Sequence, residues 1–407
     1  MPETFQYKVK DKNGKLVEGS LEAENAQLVV SKLRSMGYVP IEIQQTGGGA
    51  NLQRELKIPG FTDRVKLKDV SVFSRQFATM INSGLSLLRS LNILAEQTES
   101  KPLAEIVNQV RMDVEKGSSL SQAMGKHPKA FGRLYVSMVR AGEVGGALDS
   151  VLLRLADTIE KQVELRRKVK SAMTYPLVVA ILVLTIVTAM LLFVIPMFQG
   201  IYKQLGGTLP PPTQILINIS NICRKFWYLI FLAEVGAAFA FRRWINSEEG
   251  RKQWDAIKLK IPIFGKLVRK TALARFSRTL SALVRSGVPI LESLDIVAET
   301  AGNHVVANAV RDTQAAVKRG DPLSKNLEEH PVFPPMVVQM MAVGEETGAL
   351  DEMLDKIADF YDQEVEATVD ALTSLIEPLL IVVMGVCVGG MIISLYLPMF
   401  NIIKLIK

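Results

Sequence analysis

The sequence predicts a mainly α-helical integral membrane protein with three transmembrane helices, two homologous cytoplasmic antiparallel helical-bundle domains and a small α+β N-terminal module. Three observations predict it. Two uncharged apolar runs are each longer than the ~20 residues that a helix needs to cross the hydrocarbon core. A soluble stretch followed by such a run occurs twice in the chain. Within each copy, apolar residues recur at helical spacing, with no strand-like alternation.

The first 45 residues differ from the rest and read as a ββαβ-like module (1–45). FQYKVK, the turn DKNG and KLVEGSL form a predicted hairpin. AENAQLVVSKLRSMG is a short helix ended by Gly37, and YVPIEI is a third strand. The Gly-rich stretch that follows, assigned to 46–61, is a linker. The N-terminus has no basic region ahead of an apolar core and no small-residue cleavage site. The expectation is therefore no signal peptide and a first domain that stays in the cytoplasm.

The repeat is the strongest organising feature. FSRQFATMINSGLSLLRSLNILAE (73–96) aligns with FSRTLSALVRSGVPILESLDIVAE (276–299). KGSSLS (116–121) aligns with RGDPLS (319–324), and GEVGGALD (142–149) with GEETGALD (344–351). IPMF (195–198) aligns with LPMF (397–400), so the register runs on into the membrane. Phe73, Phe77, Met80 and Ile81 share one helix face, as do Phe276, Leu280, Leu283 and Val284. Ser-Gly at 83–84 and 286–287 ends that helix, with a left-handed glycine cap. Leu87, Leu88, Leu91 and Leu94 point inward from a second helix, and Leu103, Ile106, Val107 and Val110 from a third over 102–115. Short loops between such helices predict antiparallel bundles. These occupy 62–173 and 245–375, each with a last helix, from about 147 or 349, that runs into a span.

The spans are assigned to 174–198, 222–244 and 376–400. The middle one is less apolar and contains Glu234. The charge pattern demands it nonetheless. Residues 242–275 carry ten Lys/Arg against three acids, and 161–170 is also basic, whereas the loop 199–221 holds only Lys203. The positive-inside rule puts both basic flanks in the cytoplasm, the loop 199–221 outside and the tail 401–407 outside. The net charge of +7 then belongs to membrane orientation and acidic lipid, with no nucleic acid required.

Sequence chemistry is sparse. Cys223 and Cys387 are far apart, which excludes a disulfide framework and a structural zinc site. No phosphate-binding G-x-x-x-x-G-K-[ST] occurs, nor G-x-S-x-G or H-E-x-x-H. His127 and His330 precede prolines at matching repeat positions, where a helix boundary explains them, and His304 stands alone. The reading is no enzyme, no catalytic residue, no cofactor and no metal. Gly142, Glu143 and Asp149, with Gly344, Glu345 and Asp351, read as a tight interhelical turn with acids near a helix N-terminus, or as a cation or partner contact on an exposed loop. Glu234 is a membrane packing candidate, as are Gly385 and Gly389, a G-x-x-x-G in the last span.

Two copies of F-S-R-x(7)-[NR]-S-G, each followed by G-E-x-x-G-A-L-D and a span ending in [IL]-P-M-F, resemble the inner-membrane platform family of type IV pilus assembly and type II secretion. The resemblance covers about residues 61–407 and is most like the pilus member. It implies a homo-oligomeric platform in the bacterial inner membrane. Its implied partners are a hexameric cytoplasmic assembly or retraction ATPase, pilin or pseudopilin, inner-membrane alignment proteins and membrane lipid. Arg75 and Arg278 stand as partner contacts or as salt bridges within each domain. Pilus and secretion use both stay open, and a transporter or channel subunit is a distant alternative.

Overall fold

The computed structural model describes residues 3–10, 16–23, 26–36, 38–46, 65–204, 210–262 and 264–405. The expected DKNG turn, Gly37 and the linker stretch 47–61 lie outside the described residues. The chain divides into two units, Met1–Asp63 and Arg64–Lys407.

In the first unit, strands β1 (Glu3–Lys10), β2 (Leu16–Ala23) and β3 (Val39–Thr46) form an antiparallel sheet of order β2-β1-β3. Helix α1 (Ala26–Ser35) connects β2 to β3. Val9, Val29 and Leu33 form its small core. Pro40, which has no N–H to donate, sits on the edge strand β3 opposite Val9, beside a register shift between Lys8 and Val9.

In the second unit every regular element among the described residues is helical. Its first repeat contains α2 (Leu67–Asn82), α3 (Leu87–Gln97), α4 (Lys101–Glu115), α5 (Leu120–Gly125), α6 (Arg133–Gly145) and α7 (Leu148–Ala189). A π-helical segment, Met190–Val194, leads into α8 (Ile195–Gln204). Then come α9 (Pro211–Lys225), α10 (Trp227–Asn246) and α11 (Glu248–Lys260). The second repeat contains α12 (Phe264–Arg285), α13 (Ile290–Thr300), α14 (His304–Val317), α15 (Leu323–Glu328), α16 (Pro335–Thr347) and α17 (Leu350–Leu405).

The repeats are built alike. Phe73 packs on Phe131 with ring centroids 5.6 Å apart, and the matching Phe276 packs on Phe333 at 5.0 Å. Gly84 and Gly287 adopt φ +83° and +79°, the left-handed conformation that closes α2 and α12 at low cost only for glycine. Leu91, Leu94, Leu103, Val107 and Val110 are buried as their spacing predicts. Leu88 departs from expectation and is exposed, because the core stripe of α3 follows Leu87, Leu91 and Leu94.

The two helical domains pack against each other. One continuous hydrophobic core runs through both repeats, from Phe73 and Leu155 to Phe276 and Leu354. Polar contacts reinforce the junction. Arg133 of α6 pairs with Asp295 at 2.8 Å and with Glu299 on α13, and Ser137 donates to Glu292 at 3.1 Å. Lys168 of α7 reaches Glu366 of α17 at 3.0 Å.

Among the described residues, two helices are long and apolar enough to cross a membrane, over Leu148–Gly200 and Leu350–Leu397. Each is continuous with the soluble part of its repeat. Their apolar portions stay exposed at Leu177, Ile181 and Leu184, and at Leu379, Val382 and Val386, an apolar surface suited to lipid. The third candidate is a helix pair, α9 and α10, bent by 76°. The break falls at Phe226, inside the span expected over 222–244.

The loop expected over 199–221 is largely helical. α8 extends to Gln204, and prolines at the start of α9 suit a helix N-terminus, where their missing N–H costs nothing. α9 turns Thr213, Ile217 and Ser220 inward onto the far ends of the long helices. Thr213 Oγ1 donates to the Ser394 carbonyl, and Ser220 Oγ donates to the carbonyl of Leu191 in the π-helical segment. Residues 401–405, expected as a tail, continue helix α17.

Candidate functional site

The repeated G-E-x-x-G-A-L-D motif forms the most fully specified local structure. Gly142 lies where α6 crosses the start of α7. A Cβ there would stand 3.0 Å from Val151 Cβ and 3.2 Å from Leu148 Cα. At Gly344 it would stand 2.9 Å from Leu350 Cα. Gly146 and Gly348 are left-handed, and in the first repeat Ala147 N donates to the Gly142 carbonyl at 3.0 Å, closing α6. Asp149 and Asp351 then sit in the first turns of α7 and α17, where a negative charge suits the helix dipole.

The glutamates are not in the turn. Glu143 lies on α6, and its carboxylate accepts from the backbone N–H groups of Leu120 and Ser121 (3.0 Å for the latter) at the start of α5. Glu345 does the same on α15, accepting from Leu323 N at 2.9 Å and from Ser324 N at 3.2 Å. The capped helix is therefore the preceding one, not the following one. The sequence carries a signal for this link: KGSSLS and RGDPLS precede the Gly-Glu pair at nearly equal distance in the two copies, with one residue fewer in the second.

Arg75 and Arg278 also occupy equivalent places. Arg75 on α2 pairs with Asp157 and Glu160 on α7. Hydrogen bonds to Glu160 first, and then to Asp157, raise its pKa, while the same bond to Arg75 holds the Glu160 carboxyl below its usual value. Arg278 on α12 pairs with Asp359 and Asp362 on α17, both at 2.7 Å. Burial opposes its charge, but those two acids together raise its pKa. Nearby, Arg285 pairs with Asp351 at 3.2 Å and Asp355 at 2.6 Å, and Arg154 donates to the Arg285 carbonyl across the repeats. Sequence reading did not single out Arg133, Arg154 or Arg285. Their partners lie far away in the chain, and no local pattern marks them.

The membrane candidates remain apart from this network. Glu234 is exposed on α10. A Cβ on Gly385 or Gly389 would meet no atom within 4 Å, so these glycines present an open face of α17. Among the described residues, no group of three His, Cys, Asp or Glu side chains is placed to hold a metal ion. His330 Nε2 stands 3.7 Å from Asp312, and the backbone N–H of His304 donates to Asp255. Glu143, Glu345, Asp351, Arg75 and Arg278 are thus engaged in helix caps and ion pairs, an arrangement that fixes helices against each other.

The chain matches the family described as "Type II secretion system (T2SS), protein F" over residues 73–196 and again over 276–398. Residues 1–44 match "Type II secretion system protein F, N-terminal domain". The two longer matches coincide with the two repeats. The chain is 48% identical over 400 residues to the type IV pilus assembly protein PilC of Thermus thermophilus, covering 98% of each chain. It is 42% identical over 398 residues to PilC of Myxococcus xanthus, covering 98% of this chain and 94% of that one. It is 34% identical over 388 residues to the type II secretion system protein F of Aeromonas hydrophila, covering 95% and 99%.

Proposed function

The chain belongs to the type II secretion system protein F family, and from that premise we propose that it is a platform protein of type IV pilus biogenesis. In this reading it couples a cytoplasmic hexameric ATPase to the insertion or extraction of pilin subunits. The supporting observation is full-length similarity to relatives named for pilus assembly, higher than that to the secretion relative. The protein performs no chemistry of its own and works as a homo-oligomer with inner-membrane alignment proteins.

We further propose that α7, the α9–α10 pair and α17 make three crossings of the bacterial inner membrane, with the N-terminus inside and the C-terminus outside. The basic flanks at 161–170 and 242–275 support this orientation. Both soluble repeats then face the cytoplasm, where an ATPase would dock. The shared core and the continuous α7 and α17 support a mechanical role, because a push on either repeat loads both long helices.

Type II secretion is the second reading, favoured by the full-length secretion relative. Deletion of the gene, followed by electron microscopy of the cell surface and an assay of secreted proteins, separates the two. Loss of fibres with normal secretion is expected. Lost secretion with intact fibres would move the protein to the secretion system.

A further inference from the structure

Where α7 approaches its apolar stretch, it shares a cavity of about 380 Å³ with α11, α12 and the turn between α13 and α14. Its volume falls in the range of small-molecule sites. Four cations line it: Arg166 and Lys170 on α7, Lys258 on α11 and Arg275 on α12. No Asp or Glu is among the described residues that line it.

Charge balance in the cavity is incomplete. Lys258 is paired with Asp255 at 2.9 Å. Among the described residues, Arg166, Lys170 and Arg275 have no acidic partner. Arg275 is half-buried, and its guanidinium lies against the backbone of left-handed Gly302, so close that a Cβ there would stand 2.3 Å from Nη1. Burial first, and then Arg166, lowers the pKa of Arg275. An arginine held in this way is costly unless an anion meets it. Arginine is also the side chain best shaped to grip phosphate.

The rest of the α7 lining is apolar, while Thr271 and Asn303 add polar groups elsewhere on the wall. Leu165, Val169 and Met173 run up α7 towards Pro176, where the uncharged run begins. Lys170 lies roughly 9 Å below Pro176 and Arg166 roughly 15 Å, at the 1.5 Å helical rise per residue. α12 runs antiparallel to α17, as the Lys270–Glu364 and Arg285–Asp351 pairs establish, so Leu267 lies nearer the membrane than Arg275.

We propose that this cavity binds the phosphate of an anionic phospholipid headgroup, with Arg275, Arg166 and Lys170 on the phosphate and the acyl chains leaving along Val169 and Met173 towards the membrane. The inference goes beyond the platform reading and depends only on α7 crossing the bilayer. A lipid held here would brace α7 against the second repeat where soluble helix becomes span. The same phosphate chemistry would accept a free anion, so the test distinguishes the two sources.

The full chain is purified in detergent and exposed separately to phosphatidylglycerol, phosphatidylcholine and inorganic phosphate. Native mass spectrometry reads retained lipid, and thermal unfolding reads stabilisation by a bound ligand. The expected result is retention of phosphatidylglycerol with a raised unfolding midpoint, little retention of phosphatidylcholine, and at least tenfold weaker retention in Arg275→Gln. The double variant Arg166→Gln/Lys170→Gln changes exposed groups only, so it reports even if Arg275→Gln fails to fold, and it should also lose retention. Lys116→Gln, which removes a charge elsewhere, should retain lipid like the wild type. Equal retention of the two lipids, or unchanged retention in the double variant, would overturn the proposal. Stabilisation by inorganic phosphate that phosphatidylglycerol fails to displace would overturn the lipid source. Loss of pilus function in vivo with these results unchanged would bear on the platform reading alone.

Discussion

The carboxylate of Glu345 accepts the backbone N–H of Leu323 at 2.9 Å, so an acid late in α16 closes the first turn of α15. The equivalent pair is Glu143 and Leu120. The two copies differ in their serines: Ser324 Oγ also donates to Glu345 at 3.0 Å, whereas the matching Ser121 hydroxyl meets Ser119. Ser119 adds a second cap to α5 through Gln122 N at 3.2 Å, whereas Pro322 at the matching position of α15 offers none. Substitution of either glutamate by alanine should cost about 1–2 kcal/mol, the range of a lost helix cap. The cost should be larger for Glu345→Ala, and thermal unfolding of the two variants measures the difference.

The crossing of α16 over α17 leaves no room at Gly344. A Cβ there meets the backbone of Leu350, and its neighbour Met353 Cγ at 3.1 Å, so Gly344→Ala should destabilise by about 1–3 kcal/mol through overpacking. Gly142→Ala meets the Val151 side chain at 3.0 Å and the Leu148 backbone at 3.2 Å, slightly greater distances, and should cost less. Chemical denaturation of the solubilised variants checks the order.

Arg278 and Arg75 have equivalent positions but unequal surroundings. Arg278 is 15% exposed and faces Asp355, Asp359 and Asp362, while Arg75 is 36% exposed and faces two acids. Arg278→Ala would leave Asp359 and Asp362 without their cation and should cost about 2 kcal/mol, between an exposed pair and a buried one. Arg75→Ala should cost about 1 kcal/mol or less, because solvent screens the exposed pair. Arg278→Lys should recover only part of the loss, since lysine cannot span two carboxylates as a guanidinium does.

The Arg75–Glu160 pair carries a pH dependence of known sign. Glu160 is held below its usual pKa by the hydrogen bond to Arg75, so the unfolded chain binds its proton more readily than the folded chain. Its contribution is present above the unfolded value of roughly 4.3 and is lost as pH falls through the lower folded value. Unfolding midpoints from pH 5 down to pH 3 should fall further for the wild type than for Arg75→Ala. Parallel curves would remove the linkage.

Orientation is tested separately. A C-terminal reporter active only in the cytoplasm should be silent, and one active only outside should report. Cytoplasmic activity would reduce the crossings to two and make the bent α9–α10 pair a helix hairpin that does not cross.

Much of this architecture is legible in the sequence because its causes are local. The uncharged runs that end in IPMF and LPMF define two membrane helices by length and composition alone. Gly84 and Gly287 end their helices because only glycine takes the left-handed conformation cheaply, and a residue's backbone preference travels with it in the sequence. The duplication is visible because both copies keep the same motifs in the same order.

What the tertiary structure alone decided depends on partners distant in the chain. The Gly-Glu motif marks a fixed device, but nothing near Glu143 says that its carboxylate reaches back to Leu120. The bend at Phe226 goes with α9 packing Thr213 and Ser220 against Ser394 and Leu191, contacts made across the bundle. The fusion of the repeats through Arg133, Asp295 and Glu299 was likewise invisible, since helical periodicity tells which face is buried and not what buries it. The sequence alone determined the first helices of each repeat with their glycine ends, the duplication and the runs that suit a membrane. The tertiary structure decided which helix each acid caps, and it joined two copies into one core.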